Sequence, residues 1–403
     1  MDTAHTLATP ASPNGATLKK PRNLLAACLV HALHDGYTDG LYAFLPIWQS
    51  HFGLSYAGLA LVRALYYGTM GALQIPADRV LHGTAPRTAL TLATLIAVAG
   101  FAIMVLPLGF VGLCVGLFGA GIGSSIQHPR GSILVTDTYG PASRRPLGVY
   151  NFAGDLGKAS LPALAALLLP VLSWRPVIGA MALLGIVVTG ALVALAPSVS
   201  SREKVDPASW RVGQARSGFA VLTLIGGLDT ATRMGYLLFL PFLVHSRGGG
   251  SANVGLALAL LFIGGAFGKA TCNRLSEHFG ILASVVATET ATAFLIIATL
   301  FTPLRPTLCI LPVLGIVLNG TSSILYGTVP DVAPKGDTSR GFAIFYTAVI
   351  GAGGAAPVLY GIIADHSSQG FAIVAAALTA MAIVPLMVVL RPSLRAVIQG
   401  NRS

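Results

Sequence analysis

The chain has 403 residues, 54% of them hydrophobic and only 10% charged, with a mean hydropathy of +0.76. A soluble domain carries about 25% charged residues, so a soluble enzyme, a nucleic-acid binder and a disordered scaffold are all excluded as readings of the whole chain. The net charge of +11 does not point to a polyanion, because its distribution follows a bilayer rather than a patch.

Residues 1–21 are rich in Ala, Thr, Pro and Ser and read as a disordered tail. No small-residue cleavage pattern follows the first apolar run, so a removable signal peptide is not expected. Residues 22–196 form a first group of six apolar runs, near 24–48, 55–78, 88–107, 110–136, 146–170 and 174–196. Each is close to the roughly 20 residues a helix needs to cross hydrocarbon. The first run holds His31, His34, Asp35 and Asp39. His31, Asp35 and Asp39 are spaced i, i+4, i+8 and share one helix face. A charge at the bilayer centre costs roughly 2.5–3.5 kcal/mol on insertion scales and faces a cavity or a partner. Carboxylates and an imidazole in low dielectric suit proton exchange near neutrality. A helix-capping network, or a metal site on His31, His34 and Asp35, would use the same residues.

The second run adds Arg63, Tyr66 and Tyr67, and ends in Asp78-Arg79, an acid–base pair suited to clamping helix ends during gating. The fourth adds Gln127, His128 and Arg130. The fifth carries Asn151, Asp155 and Lys158 at i, i+4, i+7, with Gly148, Gly154 and Gly157 permitting close helix approach. Asp155 and Lys158 could equally neutralise each other. Arg63, Arg130 and Lys158 suit a carboxylate or phosphonate, since a guanidinium donates paired hydrogen bonds in a fixed fork.

Residues 197–216 are the longest hydrophilic internal stretch and read as a linker between two bundles. The second bundle, 217–391, has runs near 217–244, 252–273, 281–302, 307–330, 341–364 and 369–391, and 392–403 form a basic tail. Asp229 and Arg233, one turn apart, are expected to pair within their helix. Lys269 reads as snorkelling, Glu289 as structural, and Asn319, Ser322 and Tyr326 as one polar face. Arg274 repeats the gating position, with Asn273 replacing the acid. The halves correspond at a constant offset of 195 residues: Phe44-Leu45-Pro46 with Phe239-Leu240-Pro241, Arg79 with Arg274, Arg145 with Arg340, and Pro162 with Pro357. Twelve helices in two parallel six-helix repeats, with a site between them, form a transporter architecture.

Seventeen Lys and Arg residues fall on one side of these spans. Only Arg175, Arg247 and Arg305 fall on the other. The positive-inside bias makes both termini cytoplasmic. The four cysteines lie in apolar runs without a CxxC pair and read as buried hydrophobes. No cofactor motif is present, and the absence of a GxxxxGK[ST] loop excludes an ATP-driven pump for this chain alone. A membrane-embedded metal enzyme on His31, His34, Asp35 and His128 is the reading from another class, and the repeat argues against it.

HALHDGYTDGLYAFLPIWQSHFGLSYAGLA, GIGSSIQHPRGSIL and NFAGDLGKASLP resemble the major facilitator superfamily, and within it fosmidomycin-resistance-type efflux proteins. The resemblance spans about residues 22–391. It implies a bacterial inner-membrane protein that exports a small organic anion or drug in exchange for protons. It departs from the pattern at Pro76, usually Gly, and at Arg130, where an acid commonly follows His-Pro. The change at Arg130 and the extra cation Lys158 favour anions. The expected proton carriers are Asp35, Asp39, His31 and Asp155. The expected substrate contacts are Arg130, Lys158, Arg63, Gln127, His128, Tyr67, Asn151, Asp229, Arg233, Asn319 and Tyr326, with Asp78, Arg79 and Arg274 gating. Import or exchange of organic acids would use the same cations. The expected partners are substrate, protons and lipid, with the chain acting as a monomer.

Overall fold

The computed structural model describes residues 13–81, 83–196, 217–333 and 338–400. Within them the chain is helical almost throughout. The first half runs α1 (Pro13–Gly40), a 3-10 turn (Leu41–Phe44), α2 (Leu45–Phe52), α3 (Tyr56–Val80), α4 (Pro86–Val105), α5 (Gly109–Tyr139), α6 (Arg144–Leu168) and α7 (Trp174–Leu195). The second runs α8 (Ser217–Ser246), α9 (Ser251–Phe279), α10 (Ile281–Phe301), α11 (Leu304–Val332), α12 (Thr338–His366) and α13 (Gln369–Gly400). Twelve of these helices are long, as expected; α1 and α2 together make the first crossing. Residues 13–21 are helical where a tail was expected, and α13 carries the helix on through Gly400. The linker 197–216 lies outside the described residues.

The 195-residue repeat extends to the helix starts. Helices α3, α4, α5 and α7 begin at Tyr56, Pro86, Gly109 and Trp174, and α9, α10, α11 and α13 begin at Ser251, Ile281, Leu304 and Gln369, each 195 residues on. One equivalence fails in detail. The first crossing breaks at Leu41–Phe44, just before Pro46, whereas α8 runs unbroken through Pro241.

Eight helices are long and apolar enough to cross a membrane, α4, α5, α7 and α9 to α13, with a third to just over half of each apolar window buried inside the protein. Their remaining faces carry a belt of exposed Leu, Val and Phe such as Val111, Leu183, Phe294 and Leu378, the surface an integral membrane protein offers to lipid. Among the described residues, the long helices that fall short are α1, α3, α6 and α8. They carry Asp35 and Asp39, Arg63, Asp155 and Lys158, and Asp229 and Arg233. Polarity is thus concentrated on the helices that face inward. The helix order also sorts charge by end. Arg79, Arg87, Arg144, Arg145, Arg274 and Arg391 lie at the end where α1 starts and α13 finishes, and Arg175, Arg247 and Arg305 at the opposite end.

The two halves meet along α3 against α12 and α6 against α9, a pairing with twofold character because α3 corresponds to α9 and α6 to α12. Within the first half, α1 packs on α6 so closely at Gly157 that any Cβ there would overlap the backbone of Ala32. Small residues at such crossings let backbones approach.

A latch closes the end away from the termini. The Asp365 carboxylate at the close of α12 accepts the N–H groups of Tyr56 at 2.7 Å and Ala57 at 2.9 Å, while Ser55 caps the same helix start by accepting from Gly58 at 3.1 Å. Two free helix N–H groups and the positive end of α3 therefore hold a carboxylate of the other half. A cap of this kind is worth about 1 kcal/mol. Asp365→Ala is accordingly expected to speed hydrogen exchange at Tyr56 and Ala57 about fivefold; unchanged exchange would show that the latch does not hold this end closed.

Candidate functional site

A cavity of about 410 Å³ lies between the halves, lined by Asp35, Thr38, Asp39, Tyr67, His128 and Lys158 from the first and Arg233, Met234, Phe262, Asn319, Tyr346 and Ile350 from the second, among others. Its size falls within the range of small-molecule sites. Its charged wall is balanced, with two carboxylates, one ammonium and one guanidinium.

Asp35 is the hub. Its carboxylate lies 3.3 Å from Lys158 Nζ, 3.6 Å from His31 Nε2 and 3.7 Å from His128 Nε2. Three helices, α1, α5 and α6, supply these groups. His31 is held behind the cavity wall, stacked on Tyr150 at 4.0 Å with Gln127 Nε2 3.3 Å from its Nδ1. Gln127 in turn donates to the Tyr150 hydroxyl at 3.1 Å. Gln127 is therefore fully enclosed and positions His31 instead of lining the cavity, as expected of a substrate contact. His31, Asp35 and His128 bring three ligand atoms within 4.8 Å of one another. In this arrangement the Lys158 ammonium supplies the positive charge beside Asp35. The metal set His31–His34–Asp35 is not assembled, since His34 turns to Ser124 at 2.8 Å and Thr94 at 3.3 Å.

Asp39 lies one turn further along the stripe, 3.9 Å from Arg63. The Arg63 guanidinium is 3% exposed and sits over the rings of Tyr42 and Tyr67, at 4.1 and 5.1 Å. It also donates to the Met234 sulfur across the halves, at 3.7 Å. Arg63 lies behind Tyr67, so it shapes the wall without reaching the cavity.

Asp155 pairs mainly with Lys269 of the other half, at 2.7 and 2.8 Å, and is 3.9 Å from Lys158. This corrects two expectations. Lys269 does not snorkel, and Asp155 and Lys158 do not simply neutralise each other, because each has a nearer partner. Asp155 itself does not line the cavity.

The largest correction concerns Arg130. It is 2% exposed, forms an ion pair with the Asp78 carboxylate at 3.0 Å, donates to the Asp78 backbone oxygen at 2.9 Å, and lies outside the cavity. It is the base that clamps the end of α3, and an anion could reach it only by displacing Asp78. The Asp78–Arg79 clamp is corrected with it: Arg79 is exposed, and Asp78 is taken by Arg130. The second copy is a neutral version, in which the Ser323 hydroxyl donates to Asn273 at 3.1 Å while Arg274 is exposed.

Three further expected contacts are not in the wall. Asn151 is exposed, and Tyr326, 40% exposed, packs on Phe342 and Tyr346. Asp229 is buried and does not pair directly with Arg233. Ser322 stands between them, donating to Asp229 at 2.6 Å and accepting from Arg233 at 3.3 Å. Arg233 and Asn319 do line the cavity. Thr38, Met234, Phe262, Tyr346 and Ile350 were not singled out in the sequence; Thr38 beside Asp39 on the stripe was the one with a local signal.

The family model for the Major Facilitator Superfamily matches residues 27–223. No curated protein sequence matches the chain. Among solved structures, the chain is similar to a bacterial homologue of the human lysosomal transporter Spinster in an inward-facing, occupied conformation. Identity is 18%, with 96% of this chain and 98% of that one covered and a TM-score of 0.70. A POT family transporter in complex with a thioalcohol-conjugated peptide aligns at 14% identity over 94% and 99% of the chains, with a TM-score of 0.76. The human organic anion transporter MFSD10 aligns at 14% over 91% and 99%, with a TM-score of 0.67. At these identities the likeness is one of fold. The family model covers the first half and the solved structures align along nearly the whole chain, so the chain has the fold of Major Facilitator Superfamily transporters.

Proposed function

We propose that the chain is a proton-coupled transporter of a small organic anion, with Asp35 as the proton carrier and Lys158 and Arg233 as the cations that meet the substrate. The observation that carries this reading is the 3.3 Å separation of Asp35 and Lys158 on the cavity wall. A proton on Asp35 releases the ammonium, and a substrate carboxylate or phosphonate on Lys158 releases Asp35 to take a proton. Proton and anion then favour one another, and linkage makes the coupling reciprocal. A pair of ligands that bind together are carried together, which supports cotransport of proton and anion across a cytoplasmic membrane. The clustering of Arg at the end with the chain termini supports cytoplasmic termini.

Exchange of substrate for protons, the mode implied by the resemblance to efflux proteins, needs substrate and proton to compete. Asp35 and Asp39 offer that competition to a cationic substrate, so the second reading is proton-driven export of a cationic drug. Proteoliposomes with an imposed pH gradient separate the two. Accumulation of an organic anion on the alkaline side supports the first reading. Accumulation of a lipophilic cation on the acidic side supports the second, and flux of either class unaffected by the gradient would overturn proton coupling.

A further inference from the structure

His31 and Asp35 stand one turn apart on α1, and His128 meets them from α5. The Asp35 carboxylate divides its oxygens between the two imidazoles, Oδ2 at 3.6 Å from His31 Nε2 and Oδ1 at 3.7 Å from His128 Nε2. Both separations are too long for hydrogen bonds. They are close to a different length. Two ligand atoms about 2.1 Å from a four-coordinate ion lie about 3.4 Å apart, so each imidazole–carboxylate pair is within a few tenths of an ångström of a coordination edge. All three ligand atoms lie within 4.8 Å of one another, and they are carried by helices, which hold such a constellation more precisely than loops do.

The surroundings suit an ion at this point. Gly154 on α6 forms the wall behind it, and a Cβ there would stand 2.5 Å from both Asp35 Oδ2 and His31 Nε2. The missing methyl leaves those two atoms room to converge. His31 is oriented from behind by Tyr150 and by the Gln127 amide beside Nδ1. With the amide nitrogen toward Nδ1, Gln127 Oε1 is left buried without a partner. With the oxygen toward Nδ1 it accepts from the ring N–H and leaves the Nε2 lone pair facing Asp35, the arrangement usual behind a metal-bound imidazole. His128 is 25% exposed on the cavity wall, and among the described residues no hydrogen bond fixes its ring. It is free to turn and close the third edge. The cavity supplies the entry path and a fourth ligand from water or substrate.

We propose that His31, Asp35 and His128 form a binding site for a divalent transition-metal ion, which competes with the Lys158 ammonium for Asp35. Two imidazoles and one carboxylate select zinc, cobalt or nickel over magnesium and calcium, which prefer oxygen ligands throughout. Lys158 Nζ lies 3.3 Å from Asp35 Oδ2 and, on losing it, keeps Asp155 at 3.9 Å. A bound ion occupies the carboxylate that would otherwise take a proton, and so blocks proton coupling from the cavity side. That effect on transport rests on Asp35 being the proton carrier, as argued above; binding of the ion does not.

The test uses the full-length protein without a polyhistidine tag, in detergent, titrated with Co²⁺ alone and followed by visible absorption. Four-coordinate cobalt absorbs far more strongly than the hydrated ion, so the readout reports ligation and not activity. One Co²⁺ per chain is expected, displaced by Zn²⁺. Loss of a group that merely supports a ligand costs roughly 10–100-fold in affinity. His128→Gln and Asp35→Asn remove ligands and should weaken binding at least about 100-fold. Gly154→Ala should weaken it with all three ligands present. Lys158→Gln should tighten it at least about tenfold, because the competing cation is gone. His278→Gln, at the exposed end of α9, should leave it unchanged. Absence of the cobalt bands, or bands that persist in His128→Gln, overturns the site. Unchanged or weaker binding in Lys158→Gln overturns the competition. In proteoliposomes, saturating Zn²⁺ should stop flux driven by a pH gradient. If the ion binds as expected and that flux is unaffected, the metal site stands and Asp35 falls as the proton carrier.

Discussion

Asp35→Asn is expected to abolish transport driven by a pH gradient, with a drop of at least about 100-fold, the lower end of what a positioned proton-transferring group contributes. Asparagine has nearly the same shape and can still accept a hydrogen bond, but it can neither bind a proton nor carry a negative charge. Lys158 then loses its nearest partner, 3.3 Å away, and keeps Asp155 at 3.9 Å. Its side chain is 31% exposed to the cavity, so water takes part of the load, and the protein should fold. Exchange of labelled for unlabelled substrate at equal pH on both sides should therefore persist, because it needs no net proton movement. Loss of gradient-driven flux with exchange retained supports Asp35 as the carrier. Gradient-driven flux at wild-type rates would remove it from the mechanism.

Gly157→Val is expected to cost the fold. A side chain at this position is directed into the Ala32 carbonyl of α1, and backbone cannot rotate aside as a side chain can. Overpacking a core costs about 1–3 kcal/mol when side chains adjust; here two helices must separate, so the loss should lie at or above that range. Separation of α1 from α6 would also pull Asp35 away from Lys158. The measurement is the recovery of monodisperse protein and its melting temperature in detergent. A variant as stable as the wild type would mean that α1 and α6 are less closely packed than this geometry requires.

Much of the architecture was legible because it is written in periodic signals. Apolar runs marked the helices, and a constant offset marked the repeat, which the structure carries to the residue at which four helices begin. The stripe His31, Asp35, Asp39 was legible for the same reason, since i, i+4 spacing fixes a common face. What one helix pairs with across the bundle is not periodic. Nothing local to Asp155 or Lys269 says that they meet at 2.7 Å. Adjacent polar residues also misled, because neighbours on a helix point in different directions. In the run Gln127, His128, Arg130, the first turns to His31, the second reaches the cavity, and the third leaves for Asp78. Reading them as one substrate-facing motif was the source of the Arg130 error.

The concentration of charge on α1, α3, α6 and α8 has a consequence for how the chain is made. These four helices are the less apolar ones, and each central charge adds roughly 2.5–3.5 kcal/mol to the free energy of entering the bilayer from the translocon. Helix α1, with Asp35 and Asp39, emerges from the ribosome before α3 and α6. Arg63 follows on α3, and Lys158 only on α6. The two carboxylates of α1 therefore have their full set of cationic partners only once α6 is in place.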